Sequence, residues 1–355
     1  MTLRQFDTII IGQGLAGTTL AWTLLKHGQR VLVIDQEDDV TSSKIAAGLI
    51  TPITGMRLVI SWRFNLLHQF AVSFYQRIEK QTASVFYYQR GMMRLFSSEA
   101  EQERFKKKRN DQTFRDLVKS PISDFHDQQF ASAFGGFEMP QAAQLNTATY
   151  LNQSRWVFQN NEGYLCETVD SANEIELQYQ AVRIPKLQVQ ADRLIFCQGA
   201  ADRNNTWFPQ LQFKPAKGEI LTLKIPNYHE QRIINHKGWL APMADDCYAA
   251  GSTYQWDQLN CVPTDQGKEE IASRLKQFLR CDFHITNHRA AIRPALHDQK
   301  PIIGMHLEFP QIGIMNGLGS KGSLQAPWIA ENFANHLCHG DSIDTEIDLN
   351  RRFPA

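Results

Sequence analysis

Three glycines and one aspartate near the start of the chain have the types and spacing needed to bind a dinucleotide. After the apolar run 6–11, Gly12 permits a tight turn and Gly14 lets backbone N–H groups approach a pyrophosphate, while Gly17 lets the following helix pack closely. The N-terminus of that helix favours phosphate through its partial positive charge. Asp35 follows at close to the ~20-residue spacing of the acid that accepts a ribose hydroxyl. The segment therefore predicts a dinucleotide site.

A second glycine group lies near the other end of the chain, between an apolar run and a predicted helix. Gly317, Gly319 and Gly322 would give that helix an N-terminus rich in free backbone N–H groups. Such an end stabilises negative charge on a ring system, as a reduced flavin needs at its N1/C2 carbonyl edge. A nicotinamide-only enzyme does not need this element, and only one dinucleotide fingerprint is present. The two groups together predict one FAD and no separate NAD domain.

Two further segments are expected beside the cofactor. Residues 42–52 begin with hydroxyls and continue with small side chains, which let backbone approach a flat ligand; the alternative is an ordinary loop. The buried run 192–198 ends at Gly199, which predicts a strand whose carboxyl end reaches the cofactor. The predicted cofactor-binding residues are Gly12, Gly14, Leu15, Ala16, Gly17, Asp35, Gln36, Ser42, Ser43, Ala47, Gly48, Gly199, Gly317, Gly319, Ser320, Lys321 and Gly322.

Hydrophobic periodicity predicts the elements that must position these groups. The predicted helices are 61–81, 99–119, 145–158, 269–279 and 324–337. The predicted strands include a pair within 87–96, then 175–182, 187–190, 217–225, 237–242 and 247–254. Because nucleotide features lie at both ends and the β-rich region lies between them, we expect interleaved domains. The predicted FAD-binding domain is 1–85, 145–205 and 288–345, and the predicted substrate domain is 86–144 and 206–287.

The bulk composition narrows the class of protein. The 355 residues suit two joined domains, and 43% hydrophobic with 21% charged residues is ordinary for a globular enzyme. With 37 basic and 37 acidic side chains, no net charge favours nucleic acid or an anionic membrane surface. The basic run 106–109 is expected to be a solvated helix face, without a function that the sequence reveals.

The cysteines and the apolar runs give further expectations. The six cysteines are scattered without a CxxC pair or zinc spacing, which favours small buried side chains in a reducing compartment and no metal site. No apolar leader precedes the first predicted strand, and no run approaches the ~20 apolar residues of a transmembrane helix. We therefore expect a cytoplasmic protein without a transmembrane segment.

These motifs resemble those of the D-amino-acid-oxidase-like superfamily of FAD-dependent oxidoreductases. That superfamily includes glycine oxidase, sarcosine oxidase and the oxidoreductase domain of a bifunctional tRNA wobble-uridine modification enzyme. The resemblance runs over nearly the whole chain and is specific to the superfamily rather than to one member. It rests on residues 12–17 with Asp35, 43–52, 217–220, 250–254, Arg293 and Pro294 with Asp298, Pro301 and Gly304, and 316–327.

The resemblance implies an α/β fold, α+β overall, in which a Rossmann-like FAD domain is interleaved with a substrate domain. The substrate domain is expected to cover the flavin with a mixed, largely antiparallel β-sheet. The implied reaction oxidises the C–N bond of a small amine or amino acid by hydride transfer to flavin N5, giving an imine that hydrolyses. The electron acceptor is oxygen, a quinone or an electron-transfer protein. Because no cysteine lies near residues 293–304, FAD is expected to be non-covalent.

Three residues are predicted to act at the substrate. Arg293 occupies the place of an arginine that grips a substrate carboxylate in the glycine-oxidase pattern, and the alternative is a domain-bridging ion pair. A second arginine of that pattern falls at Ser320, so half of the clamp is missing. Lys321 matches a basic residue of the tRNA-enzyme pattern and would face the flavin, the carboxylate or solvent. Tyr254, with Trp256, would wall the pocket, the alternative being a core position.

Three functions stay open at this point. A stand-alone amine or amino-acid oxidoreductase is the first. Modification of a carboxymethylaminomethyl base in tRNA is the second; the 319–322 motif favours it, while the balanced charge and the lack of a methyltransferase half argue against it. A flavin-binding protein without turnover is the third. Nucleic acid is therefore not expected as a partner.

Overall fold

The computed structural model describes residues 3–119 and 129–352. Two well-marked caps show how local sequence sets helix boundaries: Ser98 and Thr264 each accept a hydrogen bond from a backbone N–H three residues on. Within the described ranges the helices are α1 Leu15–Lys26, α2 Ser42–Ile45, α3 Phe64–Thr82, α4 Glu99–Lys108, α5 Gln112–Arg115, α6 Thr147–Asn160, α7 Asp265–Lys276 and α8 Gly322–His339, with 3₁₀ turns at Pro185–Leu187, Gly199–Asn204 and Leu349–Arg352.

Alternating and continuous apolar runs form the strands. In the same ranges they are β1 Arg4–Ile11, β2 Val31–Asp35, β3 Leu49–Ile50, β4 Ile53–Thr54, β5 Val59–Ile60, β6 Tyr87–Gln89, β7 Met92–Leu95, β8 Gly136–Met139, β9 Ala143–Leu145, β10 Tyr164–Cys166, β11 Glu176–Gln178, β12 Ala181–Ile184, β13 Val189–Phe196, β14 Ala216–Lys224, β15 Ile233–His236, β16 Gly238–Pro242, β17 Cys247–Gly251, β18 His284–Arg293, β19 Ile302–Met305 and β20 Ile312–Asn316.

An eight-stranded sheet carries the nucleotide motif. Its order is β10-β2-β1-β13-β12-β11, and β20 pairs with the second half of β13 while β19 pairs with β20. The strands around β1 are parallel, so their carboxyl ends meet at one edge. Helices cover this part of the sheet, and the apolar runs at Ile9–Ile11 and Val31–Ile34 are correspondingly buried throughout.

Helix α1 lies unusually close to β1 because residue 17 has no side chain. A Cβ on Gly17 would lie 1.9 Å from the carbonyl oxygen of Gly12 and 3.1 Å from Cγ2 of Ile10. The opposite side of α1 packs against α8, which follows β20. Both glycine groups of the sequence therefore stand at helix N-termini above the same edge of the sheet.

A seven-stranded sheet lies beside the first. Its order is β18-β14-β17-β16-β15-β7-β8, and every neighbouring pair is antiparallel except β15 with β7. Helix α7 buries Ile271 and Leu275 against Leu221 and Leu223 of β14 on one face. This arrangement confirms the predicted α/β fold class with a mixed, largely antiparallel second sheet.

Several predicted elements were wrong in detail. The predicted helix 99–119 is divided into α4 and α5. The two strands within 87–96 do not pair with each other, since β6 pairs with β9 and β7 pairs with β8 and β15. Residues 175–182 do not form one strand, because a turn with Gln180 at φ +59° divides them into β11 and β12. Residues 187–190 are not separate from the run 192–198, since β13 continues from Val189 to Phe196. Strand β15, hidden in a short polar-flanked run, was not predicted.

The interleaving follows the predicted pattern, but the domain boundaries stay a prediction. The eight-stranded sheet takes strands from 4–35, 164–196 and 302–316, whereas β18 lies in the seven-stranded sheet from residue 284 onward. No helix of the described residues is long and apolar enough to cross a membrane.

Candidate active site

A cavity of about 600 Å³ lies between the carboxyl edge of the eight-stranded sheet and the seven-stranded sheet. Arg293 and Tyr254 line it together with almost the whole predicted cofactor set. Gly17 and Gly317 are the two predicted residues that do not line it. The predicted residues brought together are Gly12, Gly14, Leu15, Ala16, Asp35, Gln36, Ser42, Ser43, Ala47, Gly48, Gly199, Gly319, Ser320, Lys321 and Gly322.

In the first glycine turn, Gly12 and Gly14 expose backbone to the cavity because they have no side chains. Gly12 has φ +103°, and a Cβ there would lie 2.6 Å from the carbonyl oxygen of Cys197. Gly14 begins α1, whose first turn carries no acidic side chain, and the N–H of Leu15 donates to Oγ of Ser43 at 3.0 Å. An uncompensated helix N-terminus beside unobstructed backbone fits the pyrophosphate of FAD.

Asp35 is held in place by backbone N–H groups on both sides. Its Oδ2 accepts from the N–H of Gln13 at 2.6 Å and its Oδ1 accepts from the N–H of Glu37 at 2.8 Å. Each oxygen retains acceptor capacity for a ligand hydroxyl. The donors come from the glycine turn and the segment after β2, so the carboxylate joins the two sides of the nucleotide end.

A polar network behind Asp35 was not predicted from the sequence. Arg155 of α6 donates to Oε1 of Gln13 at 2.9 Å and pairs with Glu37 at 3.1 Å. The Tyr164 hydroxyl donates to Glu37 at 2.9 Å, and burial raises the pKa of Tyr164. The network stiffens both donors to Asp35. Its members are more than a hundred positions apart, and no local sequence signal pairs them.

A buried carboxylate ties the second glycine group to the strand that ends at Gly199. Asn316 donates from Nδ2 to the Gly199 carbonyl at 2.9 Å and to Asp202 at 2.7 Å. Asp202 also accepts from the N–H of Gln198 at 2.9 Å. Burial raises the pKa of Asp202 to about 6 despite these donors. The Asn316–Asp202 pair fixes the backbone that leads into α8, and no local sequence pattern predicts it.

Arg293 ends β18 with its guanidinium over bare backbone. A Cβ on Gly218 would lie 2.0 Å from its Nη2, so glycine is required there for the side chain to pass. Nη2 donates to Oγ of Ser252 at 2.8 Å, and longer contacts of 3.3–3.4 Å reach the carbonyl oxygens of Thr253 and Lys217. Within residues 3–119 and 129–352, no carboxylate pairs with it.

Burial lowers the pKa of Arg293, with only the Tyr254 ring acting in the opposite direction. A mostly desolvated cation whose partners are neutral is costly unless an anion completes it. The domain-bridging ion pair that the sequence left open does not occur among the described residues. Among the described residues this buried cation therefore has no acidic counter-charge.

Lys321 stands at the N-cap of α8. Its Nζ lies 3.5 Å from Oγ of Ser61, no described carboxylate pairs with it, and burial lowers its pKa. Ser320, where the second arginine of the carboxylate pattern would fall, is exposed at the cavity wall. The lysine is thus a second cation of the cavity, on the α8 side.

Tyr254 is not a core residue. It is 46% exposed, and the guanidinium carbon of Arg293 lies 4.6 Å from the centre of its ring. The Trp256 ring lies 5.2 Å from that of Tyr254 and is 53% exposed. Tyr254 lines the cavity beside Arg293, as a pocket wall would, whereas Trp256 packs against Tyr254 and does not itself line the cavity.

The cavity continues across the second sheet to residues that the sequence did not single out. Trp239 and Asn235 follow on neighbouring strands, and Arg94 closes the far end with an Nε–Oε1 hydrogen bond of 3.0 Å to Glu101. Arg94 also donates to the carbonyl of Gly55 at 2.9 Å, which joins the β4–β5 hairpin to this end. Strand alternation was the one available signal, and it does not show which face meets the cavity.

The cysteines and metal candidates add two observations. Cys197 and Cys261 line the cavity; burial raises the pKa of Cys197 well above its usual value, whereas Cys261 is exposed. Among the described residues no group of three or more His, Cys, Asp or Glu side chains could hold a metal ion.

The fold and cavity define a flavin-dependent oxidoreductase, and comparison with known families agrees. The sequence model of the FAD dependent oxidoreductase (DAO) family matches residues 7–336. This chain belongs to that family, and FAD is its cofactor.

Individual relatives are distant. The bifunctional tRNA 5-methylaminomethyl-2-thiouridine biosynthesis protein MnmC of Marinobacter nauticus is 24% identical over 95% of this chain and 56% of its own length. The bifunctional protein ThiO/ThiG of a Nostoc species is 24% identical over 93% of this chain and 52% of its own. The chain thus spans about half the length of the curated relatives it matches.

Solved structures share the fold over almost the whole chain. Glycine oxidase from Geobacillus kaustophilus superposes with a TM-score of 0.81 at 16% identity, covering 98% of each chain. Iminodiacetate oxidase from a Chelativorans species has a TM-score of 0.77 at 19% identity, covering 98% of this chain and 99% of its own.

Proposed function

We propose that this protein oxidises the C–N bond of a small amine or amino acid that carries a carboxylate. One observation carries the proposal: the desolvated Arg293 guanidinium faces the cavity and, among the described residues, has neutral hydrogen-bond partners only. A carboxylate beside it would supply the missing negative charge and accept charge-assisted hydrogen bonds. Amine and amino-acid oxidases among the structural neighbours make this reaction a consistent choice.

Bound between the two glycine groups, FAD would supply the oxidising chemistry, which is hydride acceptance from the carbon that bears the amine, and water would hydrolyse the resulting imine. The residues of this chain bind and orient. Arg293 fixes the carboxylate, Tyr254 covers one side of the guanidinium, and the two together hold the substrate α-carbon toward the cofactor end of the cavity. The amine binds neutral, so no residue is assigned as a dedicated base.

We assign Lys321 to the cofactor rather than to the substrate. It belongs to the N-terminus of α8, where backbone N–H groups and the helix dipole favour negative charge. Its ammonium adds to that field at the edge of the reduced flavin. The nucleotide end holds the pyrophosphate at Gly14 and the ribose at Asp35.

We also propose that FAD is held without a covalent bond. Cys197 is buried with a raised pKa, which disfavours the nucleophilic thiolate. Cys261 is the exposed thiol at the cavity, so Cys261→Ser is the useful control. Denaturing the protein with acid should release all yellow colour into the supernatant from both the wild type and the variant. Flavin that stays with the precipitated wild type would contradict the proposal.

The experiment for the reaction is anaerobic addition of candidate amines to the purified yellow protein. Glycine, sarcosine, proline and D-amino acids form the panel, and bleaching of the flavin band identifies a substrate. Admitting air then shows whether oxygen reoxidises the flavin or whether a quinone or protein acceptor is needed. A flavin that none of these bleaches would contradict the small-substrate proposal.

A second candidate is oxidation of a modified tRNA base. The MnmC relative, which aligns over 95% of this chain, favours it, and the exposed Tyr254–Trp256 pair would suit base stacking. The balanced charge weighs against it, and in the basic run Lys106 is paired with Glu103 at 2.6 Å. Tight tRNA binding that weakens steeply with salt would support this candidate. Salt-independent or absent binding would dismiss it.

A further inference from the structure

Two fully buried charged residues lie directly behind the arginine site without touching the cavity. Lys217 and Glu219 flank Gly218 on β14, and both are 0% exposed. Since side chains alternate along a strand, they point to the opposite face from the one on which Arg293 crosses Gly218. Their Nζ and Oε1 atoms lie 3.7 Å apart. A lysine and a glutamate are rarely buried so completely without a specific partner.

Most of their partners belong to one segment, residues 252–264, which we call the mouth segment; outside it, Oε2 of Glu219 lies 2.7 Å from Nε2 of His288 on β18. Lys217 donates from Nζ to Oδ1 of Asn260 at 3.0 Å and to the carbonyl of Val262. Glu219 accepts from the N–H of Thr264 at 2.9 Å and from its hydroxyl at 2.8 Å. The buried pair therefore anchors the C-terminal end of the mouth segment.

Backbone contacts hold the other end of the same segment to the same strand. Lys217 and Gln255 exchange two backbone hydrogen bonds of 2.8 and 3.1 Å. The N–H of Glu219 donates to Oγ1 of Thr253 at 3.0 Å. From α7, which Thr264 caps, Arg274 donates to the carbonyl of Ser252 at 3.1 Å. These contacts tie the start of the mouth segment to strand β14 and to helix α7.

Two of the three acceptors of the Arg293 guanidinium lie in this segment, Oγ of Ser252 and the carbonyl of Thr253; the third is the Lys217 carbonyl of β14 at 3.4 Å. The Tyr254 ring covers the guanidinium from the next position of the segment. The direction of the guanidinium is consequently set by where the mouth segment lies. A displacement of even ~1 Å at such a positioning contact is enough to change binding strongly.

We propose that Lys217 and Glu219 are positioning residues that hold the mouth segment and through it aim Arg293 at the substrate carboxylate. The inference rests on the proposed function, because it assumes that Arg293 binds a carboxylate. It assigns a role to two residues that touch neither the cavity nor any ligand placed in it.

Acetate is the probe, since it carries the carboxylate but cannot be oxidised at a C–N bond. Its binding is followed through the change it causes in the flavin absorbance. We expect Lys217→Met to raise the Kd for acetate about tenfold while the protein keeps its FAD. Lys268→Met, the same change at an exposed lysine of α7, is the matched control and should bind acetate like the wild type.

Thr264 gives a second test if Lys217→Met does not fold. Thr264→Val removes the hydroxyl that donates to Glu219 and should raise the acetate Kd. Thr264→Ser keeps the hydroxyl and should bind acetate with the wild-type Kd. A purely structural role would lower the unfolding temperature of these variants but leave the acetate Kd unchanged, and that result would overturn the inference. If Arg293→Met lost acetate binding while the Lys217 and Thr264 variants kept the wild-type Kd, the inference would also be overturned. Failure of the wild type itself to bind acetate would overturn the proposed function and the inference together.

Discussion

At the end of the cavity beside the first glycine turn, bare backbone dominates and Asp35 is the acidic side chain that the turn orients, whereas at the opposite end side chains dominate. Gly12 and Gly14 shape the first end by lacking side chains, and both belong to the turn of one β1–α1–β2 unit. Arg293 and Tyr254 shape the second end, and their geometry depends on β14, the mouth segment and α7. A local motif therefore specifies the cofactor class, while the substrate class depends on assembled tertiary structure.

The largest expected effect tests the backbone-built end. Gly17→Ala would place a Cβ 1.9 Å from the carbonyl oxygen of Gly12, which neither the strand nor the helix can relieve without moving apart. We expect a protein that folds poorly or is isolated without FAD, measured as the absorbance ratio of flavin to protein. Gly28→Ala, where no atom lies within 4 Å of the added Cβ, is a control for the glycine change.

If Gly17→Ala retained full FAD occupancy, the close approach of α1 to β1 would not be what shapes the nucleotide end. The positive φ of Gly28 makes its own substitution mildly destabilising, so FAD content rather than stability is the quantity to compare.

The next effect tests the side-chain-built end. Arg293→Met should lower kcat/KM for a carboxylate-bearing amine by about 100-fold, on the order of 3 kcal/mol, because the substrate charge is left without its partner. FAD content should not change. Arg289→Met alters an arginine on the same strand that does not line the cavity, and it should leave kcat/KM within a factor of two, about 0.4 kcal/mol. Equal losses in the two variants would point to strand β18 rather than to the guanidinium.

Asp202 tests the buried contact that joins the segment after β13 to Asn316, at the end of β20. Its folded pKa of about 6 lies above the ordinary value of 3.8, so the protonated form favours the folded protein and this contribution is lost as pH rises through about 4 to 6. The wild type therefore loses stability between pH 4.5 and pH 7, and Asp202→Asn does not. The free energy of unfolding of the variant, relative to that of the wild type, should rise by on the order of 2 kcal/mol between these two pH values. Urea unfolding at the two pH values measures it, and a difference independent of pH would contradict it.

The smallest effect concerns Lys321. Lys321→Met should slow flavin reduction about tenfold, near 1.4 kcal/mol, by removing one cation from the N-terminus of α8 while the backbone donors stay. Burial lowers the pKa of this lysine, so the lysine loses its charge at a lower pH than usual. As pH rises toward that pKa, the rate of flavin reduction in the wild type should fall toward the rate of Lys321→Met. Rapid-mixing absorbance at several pH values measures both. A pH profile that the substitution leaves unchanged would assign Lys321 to structure.

The same contrast explains what the sequence could and could not predict. Gly12, Gly14 and Asp35 were found because their spacing within one βαβ unit carries the physics by itself. The Asn316–Asp202 and Arg155–Glu37 contacts join distant segments, and nothing local marks either partner. In β7 and β16 both faces are largely buried, so alternation could not show that Arg94 and Trp239 would meet the cavity. The strand error at 175–182 arose where Gln180, rather than a glycine or proline, makes the turn. The error at 187–190 arose because the polar residues Gln190, Asp192 and Arg193 lie within the single strand β13.

The central claim is that Arg293 selects a carboxylate, and paired ligands test it most directly. Proline and pyrrolidine, or sarcosine and dimethylamine, differ by the carboxylate alone. Anaerobic addition to the yellow protein should bleach the flavin with one of the two carboxylate members and leave it oxidised with its decarboxylated twin at the same concentration. Bleaching to the same extent and rate by both members of a pair would contradict the account.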